Sequence, residues 1–206
     1  PLNSIVGFSQ ILSCKISEED EESKEYTTII EQGSNHLLQL VDNVLELSSL
    51  DSGTPIPTDT KVEINALCRQ WVEKAKSSLK PGVELVYQPE QDELHLYTNP
   101  GRLTQVVSHL LHNSARFTEK GSITLSWHIN PKQRSLVISV TDTGIGIPQD
   151  KQDVVFERFA KIDTFSTGTG LGLALGRLIM EKMDGSLVLD DKYTEGCSFV
   201  LTLPIK

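Results

Sequence analysis

The chain has 206 residues, 38% of them hydrophobic, enough for one large domain or for a full domain with an appendage. Its 28 acidic against 19 basic residues give a net charge of -9, which repels nucleic-acid phosphates and argues against a nucleic-acid partner. No run approaches the roughly 20 apolar residues of a membrane span, so no membrane contact is expected within these residues. Cys14, Cys68 and Cys197 are far apart and form no C-x-x-C pair, which points away from disulfides and zinc and toward a reducing cytoplasm.

In chain order, Leu2, Ile5, Leu12 and Ile16 recur at helical spacing, with Ser9 a small polar gap in the stripe. Beyond the acidic stretch Glu18-Glu19-Asp20-Glu21-Glu22, the positions Tyr26, Ile30, Gly33, Leu37, Leu40, Val44 and Leu47 step alternately by four and three, a heptad seam. Ile29, Leu38, Val41 and Leu45 widen it past what one neighbouring helix covers. A hairpin packed on its own globular domain and a hairpin paired with a second copy in a four-helix bundle both remain open. The second buries more of the stripe and predicts a homodimer. Gly53, Pro55 and Pro57 end the helix, and the segment around them reads as a short linker. Residues 1–52 are therefore expected to be a helical hairpin, and 58–206 a second domain.

From Thr58 the pattern becomes mixed. Strands are predicted over 61–64, 83–87, 94–97, 122–129, 135–141, 186–189 and 198–203, and helices over 65–79, 100–115 and 171–183. The fold class is α+β: a mixed sheet with helices on one face, an α/β sandwich preceded by the hairpin.

Three clusters carry chemistry. Asp142-Thr143-Gly144-Ile145-Gly146-Ile147-Pro148 follows a strand. Its glycines let the backbone turn and approach a flat ligand, and its aspartate is placed to accept from an exocyclic amine such as that of adenine. Alone, such a cluster is equally a structural turn. Gly168-Thr169-Gly170-Leu171-Gly172-Leu173 opens a helix, where backbone amides bind phosphate without a lysine. It lacks the G-K-[ST] ending of a P-loop and the preceding strand of a Rossmann unit. On the helix from Pro100, residues His109, Asn113 and Arg116 share a face, so an asparagine oxygen and a guanidinium both point toward a polyphosphate; magnesium, which favours hard oxygen ligands, needs no more than one such oxygen. His109 and His112 lack a third metal ligand at telling spacing. Gln149 to Thr167 separates the two glycine clusters with no long regular element, as functional lids do.

In this order the clusters resemble the boxes of sensor histidine kinases. His109 to Thr118 is similar to the asparagine box, Asp142 to Pro148 to the first glycine box, Phe156-Glu157-Arg158-Phe159 to the phenylalanine box and Gly168 to Leu173 to the second glycine box; Pro1-Leu2-Asn3-Ser4-Ile5 looks like the tail of the histidine box. The resemblance implies a Bergerat-type ATP-binding sandwich, shared with gyrase, mismatch-repair and heat-shock chaperone ATPases, beside a dimerisation and phosphotransfer hairpin. It implies ATP and Mg2+ as cofactors and a response-regulator receiver domain as partner. On it, Asn113 holds magnesium, and Arg116 stands where the family usually has a phosphate-contacting lysine. Asp142 accepts the adenine amine, Gly144, Gly146 and Ile147 line the base, and Ser198 completes that pocket. Gly168, Thr169, Gly170, Leu171 and Gly172 present amides to the phosphates; Phe156 and Phe159 anchor the lid, where Lys161 meets the terminal phosphate.

Departures from the pattern accompany it. The family's acceptor histidine and its acidic neighbour are expected ahead of Pro1, and His36 on the second helix is no substitute. Ala160 and Lys161 stand where many members carry an aromatic residue and an arginine. A gyrase- or chaperone-type ATPase would need a glutamate where this chain has His109, which disfavours water attack. A nucleotide-binding pseudokinase scaffold is the remaining alternative.

Overall fold

The computed structural model describes residues 2–15, 20–160 and 169–205. Two helices, α1 (Leu2–Lys15) and α2 (Glu21–Asp51), form an antiparallel hairpin. Asp20 starts α2, its carboxylate accepting from the Ser23 amide at 3.1 Å. The hairpin interior is small and polar: Ser9, Thr27 and Ser34 are buried, and the Thr27 hydroxyl is satisfied by the Lys24 carbonyl at 2.9 Å. The apolar residues point elsewhere. Ile30, Leu37 and Val44 of the predicted seam are 44%, 46% and 45% exposed, and Phe8, Ile11 and Leu12 of α1 are more exposed still. The second half of α2 meets the rest of the molecule, with Leu40 packed against the core and Leu47 and Leu50 buried in it.

The segment after α2, read from sequence as a linker, is tied down at both ends of its proline run. Ile56 is buried in the main core, and the Pro57 carbonyl accepts from Asn99 Nδ2 at 2.9 Å. β1 (Thr60–Glu63) pairs antiparallel with β3 (His95–Thr98) in a small separate ladder. The main sheet runs β2 (Val83–Pro89), β4 (Gly121–Asn130), β5 (Ser135–Asp142), β7 (Cys197–Pro204) and β6 (Ser186–Leu189). β2 lies parallel to β4 and every other pair in that sheet is antiparallel, which makes it mixed.

Three helices cover one side of the sheet: α3 (Ile64–Lys76), α4 (Pro100–Phe117) and α5 (Gly172–Lys182). Alternation decides the buried face, with Ile123, Leu125 and Trp127 of β4 turned in against Leu103, Val107 and Leu110 of α4 in one continuous core. The ends of α4 follow from sequence. Pro100 occupies the first turn, where its missing N–H costs nothing, and Asn99 Oδ1 caps the Arg102 amide at 3.0 Å. The Trp127 indole donates to Asn65 Oδ1 at 3.0 Å, tying α3 to the sheet from inside. No helix among the described residues is long and apolar enough to cross a membrane.

Candidate nucleotide site

The polar face of α4 meets the start of α5 across a cavity of about 280 Å³. From α4 it is lined by His109, His112, Asn113 and Arg116, and from the other side by Thr169 and Gly172. The approach of the two helices is close enough that a β-carbon at residue 172 would overlap the His109 ring and have to displace it. No described side chain caps α5. Its first amides, which like those of any helix have no intrahelical partner, carry the positive end of the helix dipole toward the cavity.

His109 organises the α4 side. Burial pushes its imidazole down to about 4, and His112 nearby pushes the same way. The ring is thus neutral, and its Nε2 lies 3.0 Å from Asn113 Nδ2. A neutral ring nitrogen accepts from the amide nitrogen, which leaves Asn113 Oδ1 for another partner. Arg116 lies with its guanidinium 5.0 Å from the centre of the Phe117 ring, and its carbonyl accepts from Lys80 Nζ at 2.7 Å.

Asp142, buried at the end of β5, does not line that cavity. Its Oδ1 accepts from the Gly144 amide at 3.0 Å and the Cys197 amide at 3.2 Å, and its Oδ2 from the Ser114 hydroxyl at 2.8 Å. Three of roughly four lone-pair directions are used, and one remains. The turn it begins folds against the end of α4: Ile145 N–H donates to the Phe117 carbonyl at 3.3 Å, and a β-carbon on Gly144 would stand 2.6 Å from that same oxygen. Gly146 takes left-handed backbone, φ 69°, and Ile147 packs on the core. Ser198, buried in β7 beside Cys197, shares a 3.1 Å hydrogen bond with Thr141 Oγ1.

At the second glycine cluster, Gly170 is left-handed (φ 68°) and its carbonyl accepts from the Phe159 amide at 2.8 Å. The Leu171 amide, expected to face phosphate, donates instead to Thr169 Oγ1 at 3.2 Å, and its side chain is fully buried. The two phenylalanines expected to anchor a lid differ. Phe156 is buried, its ring edge-on to Phe199 at 6.1 Å and covered by the Arg177 guanidinium at 3.7 Å, whereas Phe159 is 62% exposed. Lys161 and Gly168 lie outside the described residues.

The structure adds residues that sequence reading passed over. Ser114 holds Asp142, and its place beside Asn113 on α4 was the available signal. Gln39 and Asn43 of α2 also line the cavity, together with His36, which was weighed only as an acceptor; their spacing on a helix otherwise read for its apolar stripe was the hint. Among the described residues there is no cluster of three His, Cys, Asp or Glu side chains able to hold a metal.

Comparison with known proteins bears on the family and the fold. Residues 98–206 match the family described as histidine kinase-, DNA gyrase B-, and HSP90-like ATPase, and residues 1–53 match the His Kinase A (phospho-acceptor) domain. The autoinducer 2 sensor kinase/phosphatase LuxQ of Vibrio parahaemolyticus is 31% identical over the whole chain, and the circadian input-output histidine kinase CikA of Synechococcus elongatus is 28% identical over 99% of it. The chain spans 25% of that LuxQ and 28% of CikA. Among solved structures, full-length ShkA in complex with AMPPNP is 27% identical with a TM-score of 0.82, covering all of this chain and 43% of its own. The Acinetobacter baumannii histidine kinase AdeS, 18% identical with a TM-score of 0.71 over the whole chain and 95% of its own, shares the fold. The chain belongs to the histidine kinase-, DNA gyrase B- and HSP90-like ATPase family, in the sensor histidine kinase arrangement of phospho-acceptor helices followed by an ATP-binding domain.

Proposed function

We propose that this chain binds Mg-ATP across the junction of α4 and α5 and, within its parent protein, passes the terminal phosphoryl to a histidine of the dimerisation helices for relay to a response-regulator aspartate. The observation that carries the reading is the meeting of Asn113 and Arg116 with the uncapped start of α5 on one cavity. Amide donors and a guanidinium there suit phosphate, and catalysis by positioning and charge neutralisation needs little more. Asn113 fits magnesium because its amide nitrogen is engaged by His109 and its hard oxygen is not. When bound, the ion neutralises charge on the transferring phosphoryl group.

The lone-pair direction left on Asp142 takes the adenine amine, with Gly144, Gly146 and Ile147 beside the base and Ser198 behind the aspartate. Thr169, Gly170 and Gly172 face the phosphates, and Leu171 joins them only if its bond to Thr169 exchanges. Gly168 and Lys161 enter by resemblance alone. The parts at 1–52 and 58–206 act as hairpin and catalytic domain, and the exposed apolar stripes of α1 and α2 are covered by a second copy in a homodimer. The cytoplasm, which supplies ATP, is the compartment that fits.

Hydrolysis is not favoured, since the place of a water-activating glutamate holds His109, whose nitrogen already faces Asn113. Titration calorimetry with a non-hydrolysable ATP analogue tests the reading. Asn113→Ala should weaken binding in magnesium by about 10-fold or more and change it little in EDTA. Unchanged affinity in magnesium would remove Asn113 from the site.

A further inference from the structure

The cavity wall facing α4 is completed by the hairpin. His36, Gln39 and Asn43 of α2 stand three and four residues apart, on one face of the helix, and all three line the cavity. Asn43 Nδ2 donates to Thr169 Oγ1 at 3.3 Å, the same hydroxyl that holds the Leu171 amide. A turn further on, Glu46 engages Arg102 and accepts from Gln105 Nε2 at 2.8 Å, and Asp51 pairs with Arg158 at 2.6 Å. Leu47 and Leu50 are buried between these contacts. This side of α2, with Leu40 and Leu47 of the seam, is thus seated on the catalytic fold, while Ile30, Leu37 and Val44 face away.

An imidazole and two primary amides are a particular choice for a wall opposite Asn113, Arg116 and the open end of α5. Each offers N–H donors, and none is a carboxylate that would repel a polyphosphate. Glu46, the nearest acidic residue of this face, is neutralised by Arg102. Donors on the far wall reach the part of a nucleotide that projects furthest from the base, which is the phosphoryl group that ATP has and ADP lacks.

We propose that the α2 face His36, Gln39 and Asn43 is the second wall of the nucleotide site and binds the terminal phosphate, so that ATP, unlike ADP, holds α2 docked on α4 and α5. The inference rests on the reading of this cavity as the phosphate site. It makes a helix of the phospho-acceptor domain a sensor of which nucleotide is bound.

The test compares ADP with AMPPNP, both with magnesium, on the full chain and on the variant His36→Ala/Gln39→Ala/Asn43→Ala, by titration calorimetry. The three side chains are outside the core and alanine is the best helix former, so circular dichroism should be unchanged. The variant should bind AMPPNP about 10-fold more weakly or worse, while ADP shifts by less than about 2-fold. Hydrogen exchange of residues 36–43 in the parent chain should slow with AMPPNP and stay as it was with ADP. Equal losses for the two nucleotides, or none, would reduce α2 to a bystander. Tighter AMPPNP binding by the variant would make α2 a cover that the nucleotide displaces. A parent chain that binds neither nucleotide would overturn the site reading and this inference together.

Discussion

His109 lies between the start of α5 and Asn113, and its ring is neutral because burial holds its proton affinity down to about 4. The sign of the pH dependence follows. The unfolded chain takes up the proton near 6.5 and the folded chain resists it until about 4. Stability is therefore whole above the higher value and is lost as pH falls through that window, by up to ~3 kcal/mol. His109→Gln, which keeps a hydrogen-bonding group beside Asn113 and removes the proton site, should lose less stability than the parent between pH 7 and pH 5. Urea unfolding at both values reads this, and parallel losses in the two proteins would refute it. Asp142 makes a second residue-scale case. Sequence gave it one task, the adenine amine, whereas three donors from α4, the glycine turn and β7 already converge on it. Asp142→Asn leaves one oxygen and introduces an NH2 opposite donors. It should cost about 1–3 kcal/mol in chemical denaturation as well as adenine-nucleotide binding. A variant that loses binding at full stability would show that the carboxylate serves the ligand alone.

At the scale of elements, the hairpin shows how far a pattern carries. The four-three stepping of α2 predicted a helix and an apolar seam, and both are present. Periodicity names a face but not the neighbour that covers it. The inside of the hairpin is built around Ser9, Thr27 and Ser34, small side chains that let two helices approach, and the large apolar residues are left outward. The same limit applies at Phe156 and Phe159, equivalent letters of one motif, of which one is buried against Phe199 and the other is 62% exposed. Ile56 stands in a run of prolines and glycine that signals a turn; that the turn lies against α4 was written only in the tertiary contacts. The glycine clusters and the asparagine helix were more legible because each is a local device: a turn, a helix start, a shared face. The outward seam carries its own prediction. Leu37→Glu with Val44→Glu places charges on the exposed stripe and leaves the core alone, so the chain should sediment as a monomer where the parent sediments as a dimer. A parent that is monomeric at tens of micromolar would break the bundle reading.

Across the whole molecule, the boundary between hairpin and catalytic fold does not coincide with a gap in the core. Leu47, Leu50 and Ile56 belong to the same buried cluster as Trp71, Leu110 and Ile179, so the end of α2 is a structural part of the sandwich. Before Leu47, α2 meets the sandwich only through Leu40 and polar side chains such as Asn43 and Glu46, and the first half of the hairpin rests on its own small polar interior. Unfolding should follow that division. Cooperative units are set by shared buried contacts, and amides protected only by local contacts exchange at far lower free energy than those of the core. In the monomeric Leu37→Glu/Val44→Glu chain, amides of residues 47–51 should exchange with the main sheet, and those of residues 22–40 much faster. A nucleotide bound to the folded chain at 100 times its dissociation constant adds about 2.7 kcal/mol and should raise the melting point by roughly 5–10 °C. Exchange at 47–51 should slow with it, because those residues share the core that the nucleotide stabilises. If they exchange as fast as residues 22–40 and ignore the nucleotide, α2 is a lever resting on the catalytic fold and not a part of it, and the melting point alone will respond.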